Sequence, residues 1–252
     1  MSDPKILIFD LETIAQPFTT GADHTGRTKI RAEHCAVVCM GYKWGLEGKT
    51  HCLSSNDNPK EFAKDPFNDK KLLKEAAELI MEADFIVAHY GSGFDKPMLQ
   101  TRFFLSGLDD AGIRIGQMKV IDTCIMARKL LKVSSSSLRY ISDLLGLGQK
   151  GQPGKECWTG VMRSDVKSIK QMITYCKKDV DILAKMYEWM RGKYPNHPNL
   201  NHDKKDSCPT CLSNWWRVCL KKPMLKGKAL FQRRQCRKCG HEFQGHKIKT
   251  EK

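Results

Sequence analysis

Five side chains carry acid or hydroxyl chemistry at positions that a fold can bring together: Asp10, Glu12, Asp95 and Asp179, with Tyr175 one helical turn before the last. Asp10 and Glu12 follow an apolar run at 6–9 that reads as a strand buried on both faces, since it lacks alternation. Side chains two apart on a strand point the same way, so the two carboxylates lie side by side. Like charges held that close are costly unless a cation neutralises them. The other reading of this stretch is that Asp10 ends the strand and Glu12 is solvated. Asp95 precedes Lys96-Pro97, which suits a helix N-cap; a capping carboxylate keeps a second oxygen for other work. Asp179 falls at the apolar stripe of a long helical pattern, where an unpaired carboxylate is expensive. Four acids from strand, helix start and helix interior match the donor set for two hard divalent cations about 4 Å apart, which activate water and stabilise the leaving oxygen of a phosphodiester.

A second constellation sits at the other end of the chain. Cys208-Pro209-Thr210-Cys211 and Cys236-Arg237-Lys238-Cys239 are two CxxC pairs with 24 residues between them. Four thiolates at that spacing form a tetrahedral structural Zn²⁺ site, and in so short a segment the metal supplies most of the folding energy. Trp215, Trp216, Arg217, Arg233 and Arg234 lie between the pairs, mixing aromatic faces with cations as a sugar-phosphate backbone and unstacked bases require. Two alternatives stand beside this: the tryptophans are the small core of the ribbon, and the basic surface docks a protein. Cys219 and His241 are spare.

Around these residues the hydrophobic pattern predicts strands at 6–9, 35–43, 49–53, 85–89 and 119–122. Helices are expected at 70–83, from Asp95 to about 106, from 123 to about 131, at 138–145 capped by Ser137, and at 165–190. Residues 14–34, 54–68 and 149–156 read as loops. Strands broken by helices give an α/β domain over 1–192. A Pro- and Asn-rich linker at 193–206 leads to the cysteine-bearing tail at 207–252. Asp122 is expected to cap a helix, and Asp181, two past Asp179, to face solvent.

Three segments in order then carry a resemblance: Phe9-Asp10-Leu11-Glu12-Thr13, Phe94-Asp95-Lys96-Pro97-Met98-Leu99 and Tyr175-Cys176-Lys177-Lys178-Asp179. They resemble the three motifs of the DEDDy family of 3′–5′ exonucleases, built on an RNase H-like fold. The second and third are most similar to the exonuclease domain of family B DNA polymerases, as is residues 134–148. The resemblance covers roughly 3–190, and the tail resembles a zinc ribbon. It implies an RNase H-like mixed sheet flanked by helices. It also implies two Mg²⁺ or Mn²⁺ ions on Asp10, Glu12, Asp95 and Asp179, Tyr175 beside the attacking water, and substrate contacts at Leu11, Thr13 and Phe94. The family commonly has Asn-Gly ahead of Phe-Asp, whereas this chain has Tyr90-Gly91. Tyr90 is then either a stacking face for a base or, with His89, a strand-end residue packed over the sheet.

Composition narrows the partners. The formal net charge is +15, and residues 201–252 hold +10 of it, with 14 Lys and Arg against 4 Asp and Glu. A basic tail of this kind points to a polyanion, nucleic acid rather than a membrane surface. The start of the chain does not read as a signal peptide, and no apolar run reaches the roughly 18 residues of a membrane span. The 11 cysteines therefore suggest metal-binding thiols in a reducing, cytoplasmic setting. The expected activity is hydrolysis of single-stranded DNA from its 3′ end, with a DNA polymerase or a replication or repair protein as partner. A 3′–5′ exoribonuclease on the same scaffold, or a non-catalytic nucleic-acid-binding adaptor, are the alternatives.

Overall fold

The computed structural model describes residues 3–15, 32–57, 59–149, 151, 153–201, 206–219, 223–227 and 229–248. Its central strand, β1 (Ile6–Ala15), pairs antiparallel with β2 (Cys35–Trp44) and parallel with β4 (Phe85–Ala88). With β3 (His51–Ser54) and β5 (Val120–Asp122) at the edges, the sheet runs β3-β2-β1-β4-β5, a mixed sheet of RNase H-like form. Leu7 and Phe9 point into one apolar cluster and Ile8 into another, and all three are fully buried. That is why the run lacks alternation: helices cover both faces. Each such side chain contributes about 1.5–3 kcal/mol by leaving water.

The first face is covered by α2 (Lys70–Glu82), α3 (Asp95–Leu105) and α4 (Asp109–Gln117), through Leu73, Ile80, Leu99, Phe103 and Ile115. The second is covered by α5 (Thr123–Leu130), α6 (Leu138–Leu144) and the long α8 (Val166–Arg191), with α7 (Lys155–Met162) packed against α8. Asp165 caps α8 and Ser137 caps α6 through their side chains. The expected loop at 54–68 contains a short helix, α1 (Pro59–Lys64), because Phe62 is fully buried and anchors a turn. The expected loop at 14–34 falls largely on residues outside those described.

β1 does not end at Asp10. It continues to Ala15 because β2 keeps pairing with it and because Leu11 and Ile14 are buried, and the register shifts between Glu12 and Thr13. α8 lies directly over β2 at Gly41, where a Cβ would meet the Cys176 carbonyl oxygen and Val180 Cγ2, both at 2.9 Å. The helix approaches this closely only because that position has no side chain. Gly41→Ala is expected to cost about 1–3 kcal/mol by forcing α8 outward, readable as a lower denaturant midpoint with an unchanged slope.

Near the C-terminus, β6 (Trp216–Val218), β7 (Met224–Lys226), β8 (Ala229–Cys236) and β9 (Glu242–Lys247) form a second antiparallel sheet around β8. It is seated on the end of α8, where a Cβ on Gly192 would stand 1.7 Å from the Cys239 carbonyl oxygen. Among the described residues after α8, Leu200 is buried, its N–H donates to the Pro209 carbonyl (2.8 Å), and Tyr187 meets His197 at 2.9 Å. Burial holds His197 at about 4, so its ring is neutral there. Among the described residues no helix is long and apolar enough to cross a membrane.

Candidate metal and nucleic-acid site

Asp10 and Glu12 leave β1 on the face that α8 covers, the face to which Ile8 also points. On α8 the buried stripe runs through Met172, Cys176, Asp179, Val180 and Leu183. Cys176 anchors this turn, since its sulfur accepts the Gly41 N–H (3.1 Å) and lies 3.6 Å from the Asp10 carbonyl oxygen. One turn on, Asp179 is 0% exposed. Carboxylate oxygens of Asp10, Glu12 and Asp179 all lie within 4.8 Å of one another. Hard oxygen donors gathered this tightly fit a divalent cation.

Asp95 arrives from the opposite side and is also buried. It is the first residue of α3, and Phe94 occupies the N-cap position, so the expected capping role is replaced by another. Asp95 Oδ1 accepts the Leu11 N–H at 3.2 Å, tying the helix start to the middle of β1 between the other two acids. Burial, reinforced by the charge of Asp10, pushes its carboxyl well above the usual range. The sign follows. In the metal-free protein the proton binds more tightly when the chain is folded, so this stabilisation is complete below the ordinary carboxylate value of about 3.9. It is lost as the pH rises through the raised folded value. Asp95→Asn, which mimics the protonated form, should therefore melt close to wild type in acid and increasingly above it toward neutral pH. Melting curves of both proteins in chelator, and a smaller gap in Mg²⁺, check this.

Tyr175 lies one turn before Asp179, half-buried and packed against the cluster that holds Ile169, Met172 and Cys176. Leu11 sends its side chain into the opposite core, and Phe94 packs against that core. Thr13 is half-buried at the register shift. Tyr90 is 51% exposed and sits at φ 61°, an uncommon conformation for a bulky residue. It is held there by Asp122, whose two oxygens accept the N–H groups of Tyr90 and Ser92 (both 3.0 Å) while also capping α5 through Cys124 (2.9 Å). Asp122 is thus the expected helix cap, with a loop-holding role that the sequence did not suggest. His89 is structural: its ring joins Thr123 Oγ1 and the Ser136 carbonyl, each at 2.9 Å. Arg128 places its guanidinium 6.0 Å from the Tyr90 ring centre. Sequence reasoning missed it, since nothing in the spacing of α5 links Arg128 to Tyr90. Asp181 is not simply solvated, for it accepts the Thr50 hydroxyl and lies 3.7 Å from Lys43.

In the C-terminal sheet, Cys208, Cys211, Cys236 and Cys239 have all four sulfurs within 4.8 Å of one another, with Cys208 to Cys239 at 3.7 Å and Cys211 to Cys236 at 3.5 Å. A tetrahedron with Zn–S bonds of about 2.3 Å has edges of about 3.8 Å, close to these two separations, so the donor set fits a metal ion. Each pair sits in a tight turn, with Leu212 N–H donating to the Cys208 carbonyl and Gly240 N–H to that of Cys236. The tryptophans divide. Trp216 packs edge-on against Phe243 with Arg234 stacked 3.9 Å above it, and Arg234, 3% exposed, also pairs with Asp206. Trp215 is 63% exposed. Arg217 is exposed and bonded to Gln235, and Arg233 pairs with Glu242 at 2.7 Å.

Comparison with known proteins agrees with this architecture. No curated protein sequence matches the chain. The fold is similar to that of the family B DNA polymerase from the hyperthermophilic archaeon Pyrobaculum calidifontis, at a TM-score of 0.55 and 15% identity, over 79% of this chain. The chain spans only 27% of that polymerase. A model of the RNase H superfamily matches residues 39–191, a span that holds Asp95, Tyr175 and Asp179 and starts after Asp10 and Glu12. With that match over more than half its length, and a mixed sheet of the same form beneath it, the chain belongs to the RNase H superfamily.

Proposed function

We propose that this chain is a divalent-metal-dependent 3′–5′ exonuclease that shortens single-stranded DNA. The observation that carries the reading is the meeting of Asp10, Glu12 and Asp179 within 4.8 Å, from a strand and a helix more than 160 residues apart. Together with Asp95 they would hold two Mg²⁺ or Mn²⁺ ions, the cations that carboxylate oxygens favour. When bound, such ions offset the repulsion among the acids and stabilise the charge that develops on the phosphate. The chain's own groups do the rest. The Tyr175 hydroxyl orients the attacking water by hydrogen bond. Tyr90 offers a stacking face to a terminal base, worth about 1–3 kcal/mol, and Arg128 faces the phosphate beside it.

In this reading residues 1–192 are the nuclease and 207–252 a zinc ribbon, with one Zn²⁺ on Cys208, Cys211, Cys236 and Cys239. Trp215, Arg217 and Arg233 grip the substrate backbone, while Trp216 and Arg234 hold the ribbon itself together. The similarity of fold to a DNA polymerase supports DNA as substrate and a replication or repair protein as partner.

The test is digestion of 5′-labelled DNA and RNA oligonucleotides with free or blocked 3′ ends, with and without Mg²⁺. A ladder of shortened DNA that needs both the cation and a free 3′ end is expected. Faster shortening of RNA would move the substrate class, and metal-independent binding without product would make the chain a binding module. Tyr175→Phe should lower kcat about tenfold to a hundredfold with KM little changed, since it misplaces the water and not the substrate.

A further inference from the structure

All eleven cysteines are free thiols, and three that play no part in the metal sites above gather behind the acidic cluster. Cys39 on β2, Cys52 on β3 and Cys176 on α8 have their sulfurs within 4.8 Å of one another. Cys39 and Cys176 are buried, whereas Cys52 is half-buried. The trio is a poor cation site. Three thiolates would add negative charge beside Asp10 and Asp179, where like charges are already crowded. A neutral product of thiol chemistry carries no such cost.

Topology selects the pair. Cys52 lies directly opposite Gly41 in the β2–β3 ladder, and Cys39 opposite Ser54. Cys39 and Cys52 are therefore a diagonal pair, with α-carbons about 7–8 Å apart, beyond the span of about 4.4–6.8 Å that a disulfide bridges. Cys176 instead sits over Gly41 itself, its sulfur 3.0 Å from where a Cβ would be. It is thus stacked above the residue that faces Cys52.

We propose that Cys52 and Cys176 form a peroxide-oxidised thiol pair whose disulfide fastens β3 to α8 beside the acidic cluster. Hydrogen bonds from Cys176 and Cys39 hold the Cys52 sulfur well below the ordinary thiol range, which favours the reactive thiolate. That thiolate attacks one oxygen of hydrogen peroxide: an S–O bond forms, the O–O bond breaks, and sulfur gives up two electrons. The hydroxide released takes a proton from solvent and leaves as water. The Cys176 sulfur then attacks Cys52, an S–S bond forms, and the S–O bond breaks. The departing hydroxide carries away the Cys176 proton as a second water. The link joins α8 one turn before Asp179 and next to Tyr175. Only its consequence for phosphodiester hydrolysis rests on the nuclease reading.

The test uses the reduced, zinc-loaded protein, residues 1–252. It is treated with a small excess of hydrogen peroxide, its remaining thiols are alkylated, and peptides are mapped by mass spectrometry without reduction. A peptide linking Cys52 to Cys176 is expected, with alkylation of Cys52 falling about tenfold and returning on reduction with dithiothreitol. The link should persist in Cys39→Ser and be absent from Cys52→Ser. Undiminished alkylation of Cys52, or its linkage to Cys39 or to a ribbon cysteine, would overturn the proposal. A linked peptide in a protein that never shortens oligonucleotides would count against the nuclease reading alone.

Discussion

Asp179→Asn is expected to slow Mg²⁺-dependent chain shortening by about a thousandfold or more while leaving the protein folded. A bound cation supplies several kcal/mol of charge stabilisation at a transferring phosphate, and each 1.36 kcal/mol is a factor of ten in rate, so losing about 4 kcal/mol gives that figure. Asp179 is the most buried of the three converging acids, so no water-borne substitute reaches its place easily. The same change should act oppositely on stability. Three carboxylates within 4.8 Å repel one another when no cation is present, and an amide of equal size removes one of the charges. The metal-free variant should then melt a few degrees higher than wild type, the trade between stability and activity common at functional sites. A labelled-oligonucleotide assay and a thermal melt in chelator check the two halves. Activity within tenfold of wild type would remove Asp179 from the site, whatever the melt shows.

If Cys208, Cys211, Cys236 and Cys239 hold Zn²⁺ as proposed, Cys236→Ser or a strong chelator is expected to unfold the second sheet while the five-stranded sheet stays intact. The buried apolar core of that region, among the described residues, is Cys208, Cys236 and Phe243, with Trp216 leaning on it. Ordering each residue's backbone costs about 1–2 kcal/mol, and so small a cluster does not offset it. Structural Zn²⁺ contributes about 10–16 kcal/mol in comparable small sites. Hydrogen exchange read by mass spectrometry should show protection lost across the second sheet and kept in β1, β2 and the first half of α8. The last turns of α8, where Tyr187 and Met190 pack with Leu200 and Leu212, should lose part of theirs. Affinity for single-stranded nucleic acid should fall together with its salt dependence, since the ribbon carries most of the excess positive charge. Unchanged protection after the metal is gone would show that the sheet holds itself together.

What was legible in the sequence followed a period or a spacing. The unbroken apolar run of β1, the stripe of α8 and the paired CxxC motifs each encode their own geometry. What was not legible depends on contacts far along the chain. Asp95 looks like a cap because Lys96-Pro97 follows it, yet its oxygen is taken by the Leu11 N–H, 84 residues away. Asp181 faces away from Asp179 as the helical period requires, but Thr50 and Lys43 happen to meet it there. α4 and α7 carry glycines that dilute a helical pattern, and it is burial of Ile115 and Val161 that makes those segments helical. The neighbours Trp215 and Trp216 read alike in sequence. Trp216 opens β6 and packs on Phe243, whereas Trp215 lies just before the strand and stays exposed.

The single helix α8 carries the acid cluster near its middle and bears the second sheet at its end. Asp179 precedes Arg191 by twelve residues, a rise of about 18 Å, and the contact at Gly192 leaves little play at the far end. The offset between the two units is therefore set by counting residues. One residue inserted between them would swing the second sheet about 100° around the shaft, whereas three or four would nearly restore its bearing and lengthen the arm. The chain carries its own ruler, and its length and its phase are written in the same dozen residues.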